Sequence, residues 1–126
     1  MWNNAGAEGA GGMVMQIERD EITRDTIRLG LTGTLDIAGA QALEKTINEY
    51  KGIMRAVVLD MTAVSYVASM GLRTLIKAAK DLAAAHGKMV LMSPNSEVSR
   101  VLFTTSIDLL IPIYASRESA LAAVQR

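Results

Sequence analysis

Four side chains have the type and setting to do chemistry: Asp36, Asp60, Ser69 and His86. Ser69 with His86 is the pairing for nucleophilic catalysis, which needs the imidazole within hydrogen-bond reach of the hydroxyl. His86 is the single histidine of the chain. The apolar spacing between the two residues predicts one helix with a residue at each end. Their 17-residue separation, at about 1.5 Å per residue, places them roughly 25 Å apart. Ser69 is thus left without a base. His86, with Gly87 after it, reads as a capping or solvated residue favoured by the helix dipole. Asp36 and Asp60 each close an apolar run, and a carboxylate pair at one edge of a sheet suits acid–base work. The competing reading is that both cap helices or bind loop amides.

Other chemistries are thin. There is no cysteine, which removes disulfides, thiolates and Cys-ligated metals together. One histidine and scattered carboxylates do not cluster as a metal site does. Gly30-Leu31-Thr32-Gly33 follows neither the Walker nor the dinucleotide spacing. No cofactor is expected. Thirteen basic residues balance thirteen acidic ones, without the surplus that phosphate neutralisation demands, so no direct nucleic-acid partner is expected. No apolar run approaches the roughly 20 residues of a membrane helix, and no secretory signal is visible. A cytoplasmic location follows as the default expectation.

What survives is Ser69 itself, in the segment Asp60 to Leu72, DMTAVSYVASMGL. It stands at the predicted start of a helix, where unpaired N–H groups and a partial positive charge welcome an anion. A phosphate on Ser69 would add about 1.5 to 2 negative charges without opposing the helix. An ordinary N-cap serine has the same appearance in sequence, and the residues alone leave both readings open.

The elements that must carry these residues are legible in outline. Met1 to Gly12 is Gly/Ala-rich and aperiodic, and is expected to be a disordered tail ahead of one domain over residues 13–126. Trp2, alone in that tail, is expected to have no packing role. Val14 to Glu18 and Thr26 to Thr32 alternate in polarity, the second with Ile27, Leu29 and Leu31 on one face, and predict a hairpin. A helix is expected over Ala40 to Tyr50 with Leu43, Ile47 and Tyr50 inward. Ala56 to Leu59 is a continuous apolar run, as in a strand covered on both faces. Met61 to Ala68 is expected to be a loop. From Ser69, the stripe Leu72, Leu75, Ile76, Ala79, Leu82 and Ala83 predicts the strongest helix of the chain. Lys88 to Met92 is a further strand, and Ser93-Pro94 reads as cap and first turn of a helix with Val98, Val101 and Leu102 inward. Leu109 to Tyr114 reads as an edge strand because of Pro112. Ser116 caps a last helix with Leu121 and Val124 inward. The expected fold class is α/β, with order β-β-α-β-α-β-α-β-α and a mixed sheet of four to five strands with about four helices.

The order and spacing of three motifs resemble the STAS-domain anti-sigma-factor antagonists over about residues 13–125. These are Gly33-Thr34-Leu35-Asp36, then Asp60 followed by Ala68-Ser69-Met70-Gly71-Leu72, then Ser93-Pro94 with Val98-Ser99-Arg100-Val101-Leu102. The resemblance implies a single STAS-like domain that is not an enzyme. It implies partner switching in transcription regulation. The unphosphorylated antagonist binds an ATPase-type anti-sigma factor/serine kinase, that kinase phosphorylates the serine matching Ser69, and a PPM-type phosphatase reverses the step. Two positions depart from the pattern: Ala68 replaces an acidic residue, and Met70 replaces a small one.

The partner surface is then expected on the rim holding Asp36, Asp60, Thr62, Tyr66, Ala68, Met70, Gly71, Arg73 and Thr74, with Arg73 and Thr74 on the exposed side of the serine. A monomer or weak dimer is expected. Two alternatives stand beside this reading. One is a STAS adaptor that is never phosphorylated, working in a sensory or secretion-control complex. The other is a small α/β enzyme with Asp36, Asp60 or Ser69 in a cleft.

Overall fold

A computed structural model of the chain describes residues 15–125. The expected tail over residues 1–12 and the strand residue Val14 lie outside the described residues. The element order is β1 (Gln16–Thr23), β2 (Thr26–Leu35), α1 (Ile37–Tyr50), β3 (Ala56–Val67), α2 (Ser69–Ala84), β4 (Lys88–Met92), α3 (Ser96–Thr104), a 3-10 turn (Ile107–Leu109), β5 (Ile113–Tyr114) and α4 (Arg117–Val124). The strands form one sheet in the order β1-β2-β3-β4-β5. β1 pairs antiparallel with β2, and the remaining pairs are parallel. The expected α/β class and element order are both present.

The sheet is sandwiched unequally. On one face Ile27, Leu29 and Leu31 join Val57, Leu59 and Leu91 against Leu43 and Ile47 of α1, Leu75 and Leu82 of α2, and Val98 and Leu102 of α3. This is the larger core. On the other face Ala56, Val58, Val90 and Met92 form a smaller cluster with Ala120 and Val124 of α4, flanked by the half-buried Tyr114 and Leu121. β3 is therefore apolar on both faces over its first half, which is why its sequence shows no alternation.

Beyond Leu59 the expectation fails in an informative way. Met61 to Val67 is the second half of β3, not a loop. Gly30 faces Asp60 and Thr32 faces Ala63, so β3 advances three residues while β2 advances two. Gly33 faces Val64 and Thr34 faces Tyr66, so the same slip recurs. Each slip is a β-bulge that carries one extra residue. Together they make Met61, Val64 and Val67 the buried positions of this stretch, a spacing of three that matches neither strand nor helix period. Asp60 also does not end its strand.

The first bulge is tied down by Asp60. Its Oδ1 accepts the Thr62 backbone N–H at 3.0 Å and the Thr62 hydroxyl at 2.6 Å. Its Oδ2 accepts from Arg28 Nε at 3.0 Å and Nη2 at 2.7 Å. The Arg28 guanidinium lies flat across Gly30, where a Cβ would run into it, and also donates to Glu18 at 2.9 Å. Burial pushes the Asp60 carboxyl up, but the Thr62 and Arg28 hydrogen bonds and the Arg28 charge outweigh it and hold the group below the ordinary aspartate value.

Three smaller expectations are also corrected. Asn95, not Ser93, caps α3: its side chain accepts from the Val98 N–H, while Ser93 sits at φ 57° before it. Leu109 to Tyr114 is strand only at Ile113–Tyr114, with Leu109 and Leu110 exposed on the preceding turn. Ala83 is exposed, and the buried stripe of α2 is Gly71, Thr74, Leu75, Ala78 and Leu82.

Two stability outcomes follow. Asp60→Ala leaves the Arg28 charge and the bulge amide without their acceptor, and is expected to cost about 3 kcal/mol in urea unfolding at neutral pH. Because the folded carboxyl titrates below its unfolded value, its contribution is full above about pH 4 and is lost as pH falls through the folded value. The gap between wild type and Asp60→Ala must therefore narrow in acid. Gly71→Ala drives a Cβ into the Leu35 carbonyl and is expected to cost about 2 kcal/mol by the same measurement, since backbone cannot yield as a side chain can.

Candidate functional site

The rim at the C-terminal end of β2 and β3 gathers the residues that the motifs singled out. β2 ends at Leu35 and β3 at Val67. The Leu35 carbonyl accepts the Ala68 N–H at 3.0 Å, and Gly71 lies against that same carbonyl with no room for a side chain. The end of β2 thereby fixes the first turn of α2. The first helical residue is Ser69, with Ala68 in the cap position and no side chain bonded there. Ser69 is exposed. Its hydroxyl is not spent on capping, although four N–H groups at such a helix start lack intrahelical partners.

Asp36 shapes the opposite side of the rim. It caps α1: Oδ1 accepts the Gly39 N–H at 2.9 Å, and Oδ2 accepts from the Thr34 hydroxyl at 3.2 Å. The Gly39 N–H is the main reason that the carboxyl sits below the ordinary aspartate value, with the Thr34 hydroxyl adding to it against desolvation. Asp36 is thus a fixed negative charge at neutral pH, held by the α1 terminus. Gly39 meets the Thr34 carbonyl as closely as Gly71 meets that of Leu35, so both helices start flush against β2.

Between the two helix starts lies an open hollow of about 460 Å³, lined by Asp36, Ile37, Ala38, Tyr66, Ala68, Ser69 and Met70. Ile37 is 61% exposed, Tyr66 58% and Met70 40%. These apolar surfaces adjoin the free hydroxyl. Arg73, also exposed, is one turn on. Ile37 was not among the sequence-derived site residues. Once α1 is seen to begin at Ile37, the wheel supplies the missing signal, since Ile37 falls outside the buried set Gly39, Ala40, Leu43, Thr46 and Ile47.

The rim does not include every candidate. Asp60 is 8% exposed and bonded to Arg28 and Thr62. Thr62 is exposed, but it lines a separate groove of about 530 Å³ beside β1 and β2, with Glu18, Arg28 and Gly30. Asp36 and Asp60 share no partner, so they form no carboxylate pair. Thr74 is 8% exposed and Gly71 is buried. Thr74 therefore does not flank Ser69 on the open side, and Gly71 acts on the backbone beneath it. Ser69 and His86 stand at opposite ends of α2, with His86 in the left-handed region at φ 66°. Among the described residues no group of three or more His, Cys, Asp or Glu side chains is placed to hold a metal ion. No helix among them is long and apolar enough to cross a membrane.

Comparison with known proteins agrees with this geometry. The STAS domain profile matches residues 17–120. BtrV of Bordetella bronchiseptica, an anti-sigma factor antagonist by name, is 35% identical over 95 residues, which cover 74% of this chain and 81% of that protein. The crystal structure of an anti-sigma factor antagonist from Mycobacterium paratuberculosis superposes with a TM-score of 0.79 at 24% identity, covering 89% of this chain and 95% of that one. The antagonist SpoIIAA in its unphosphorylated form superposes with a TM-score of 0.74 at 20% identity, covering 87% and 96%. The matched segment runs from β1 through the first turn of α4 and takes in both helix starts of the rim, and on it the chain belongs to the STAS-domain family of anti-sigma-factor antagonists.

Proposed function

We propose that the chain is an anti-sigma-factor antagonist that works as a partner switch. Unphosphorylated, it binds an ATPase-type anti-sigma factor/serine kinase through the Ser69 rim. Phosphorylated on Ser69, it lets that partner go, and a PPM-type phosphatase restores the binding form. The observation that carries the reading is the exposed, uncapped hydroxyl at the first residue of α2, set among the exposed side chains of Ile37, Tyr66 and Met70. SpoIIAA, which shares the fold, is known in both phosphorylated and unphosphorylated forms.

The physical account is electrostatic. A phosphate on Ser69 sits where helix amides can donate to it, so the protein keeps its fold. The partner meets a dianion where it met a neutral hydroxyl. Asp36, which lines the same hollow and is ionised, supplies no counter-charge from α1. Arg73, exposed one turn on and held only by a weak contact to the Met70 sulfur, can pair with the phosphate within α2, which satisfies the protein and not the partner. Burying that charge under a docked protein costs several kcal/mol. Ala68, beside the serine, carries no charge of its own, so the phosphate supplies the negative charge at this helix start.

The test is direct. Isothermal titration of the purified ATPase-type kinase into wild type, Ser69→Ala and Ser69→Asp is expected to show tight binding for the first two and a loss of about 100-fold or more for the third. Mass spectrometry after incubation with kinase and ATP is expected to place one phosphate on Ser69. Equal affinity of Ser69→Asp and Ser69→Ala contradicts the charge switch. A chain that binds the kinase yet stays unmodified is the constitutive adaptor instead.

A further inference from the structure

The methionines of this chain are distributed unevenly between core and surface. There are eight in the sequence. Among the described residues Met15, Met54, Met61, Met89 and Met92 are each 6% exposed or less, whereas Met70 is 40% exposed. Met70 also follows the candidate phosphoacceptor directly. A thioether reacts with peroxides in proportion to its access, and the product exchanges an apolar side chain for a polar one.

We infer that Met70 is an oxidation site at which a peroxide-class oxidant disables the Ser69 rim independently of phosphate; the coupling to partner binding rests on the function proposed above. The step is a two-electron oxygen transfer. The Met70 Sδ lone pair attacks one peroxide oxygen, an S–O bond forms and the O–O bond breaks. The proton on the transferred oxygen passes to the departing hydroxide, which leaves as water. The thioether is oxidised and the peroxide is reduced.

The neighbourhood gives the product somewhere to go. Arg73 Nη1 donates to Met70 Sδ at 3.9 Å, a weak contact to sulfur. A sulfoxide oxygen is a far stronger acceptor, and the same guanidinium is in reach of it. Oxidation thus strengthens the hold of Arg73 on the Met70 side chain. It removes apolar contact area from the hollow and places a polar group where the partner packs. Methionine sulfoxide reductases reverse the change, so the site is a switch and not only a lesion. The five enclosed methionines keep their packing, because oxidant reaches them only when the core opens.

The experiment has two arms. In the first, the chain alone is exposed to dilute hydrogen peroxide, quenched, digested and mapped by mass spectrometry. One added oxygen is expected on Met70 well before any appears on Met15, Met54, Met61, Met89 or Met92. Equal rates across the six, or an unmodified Met70, overturn the site. In the second arm, affinity for the ATPase-type kinase is measured before and after treatment, for wild type and for Met70→Leu. Wild type is expected to lose roughly tenfold on oxidation, the effect of setting a polar group into an apolar contact. Met70→Leu is expected to keep its own pre-treatment value. An oxidised wild type that binds undiminished, or a Met70→Leu protein that loses as much, overturns the coupling. A chain that binds no kinase even before treatment sinks the partner reading and the coupling with it, while the map still decides the site.

Discussion

The rim depends on one backbone oxygen. The Leu35 carbonyl ends β2, accepts the Ala68 N–H and abuts Gly71. Through it the sheet dictates where α2 begins, and the start of α2 dictates which side chain is exposed at the positive end of the helix. A hydrogen bond of this kind contributes only about 1 kcal/mol net. Its importance is geometric, because a shift of one residue along the helix turns a side chain by 100°. Move the start by one and Ser69 no longer faces the hollow that Ile37, Tyr66 and Met70 line.

The two bulges of β3 serve the same end. A regular strand of this length would alternate from Val57 onward, and Tyr66 would share a face with Asp60 and Thr62. Each bulge resets the alternation. The result is that Met61, Val64 and Val67 enter the core while Tyr66 stands 58% exposed at the rim. The ion pair of Arg28 with Asp60 (side chains 16% and 11% exposed) is enclosed on the far face of the sheet. It holds the first bulge and takes no part in the rim. A residue that looks like a site from its motif is thus, in place, a brace for the strand that carries the site.

How much of this was legible in the sequence varies with the period of each segment. β2 alternates strictly, so its buried face was readable from Ile27, Leu29 and Leu31. α2 has a long apolar stripe, so its existence and its start at Ser69 were readable too. Met61 to Ala68 reads as a loop in sequence because two bulges impose a spacing of three on Met61, Val64 and Val67, for which no sequence template exists. The α3 cap was misplaced because Ser93, Asn95 and Ser96 all suit a cap. The tie that selects Asn95 is long-range: its Nδ2 donates to the Val64 carbonyl at 3.0 Å. Thr74 was placed outside by its polarity, yet it falls three residues after Gly71 and four before Ala78, on the buried stripe.

The central claim is that a phosphate on Ser69 changes the surface and leaves the fold as it is. Amide chemical shifts of the fully phosphorylated and unphosphorylated chain test it most directly. Changes confined to the two helix starts, about residues 36–39 and 66–73, with an unaltered β3 and core, are the predicted result. Shifts spreading through Met61, Val64 and Leu59, or lost dispersion, would contradict it, for the modification would then act by unfolding the domain and not by its charge.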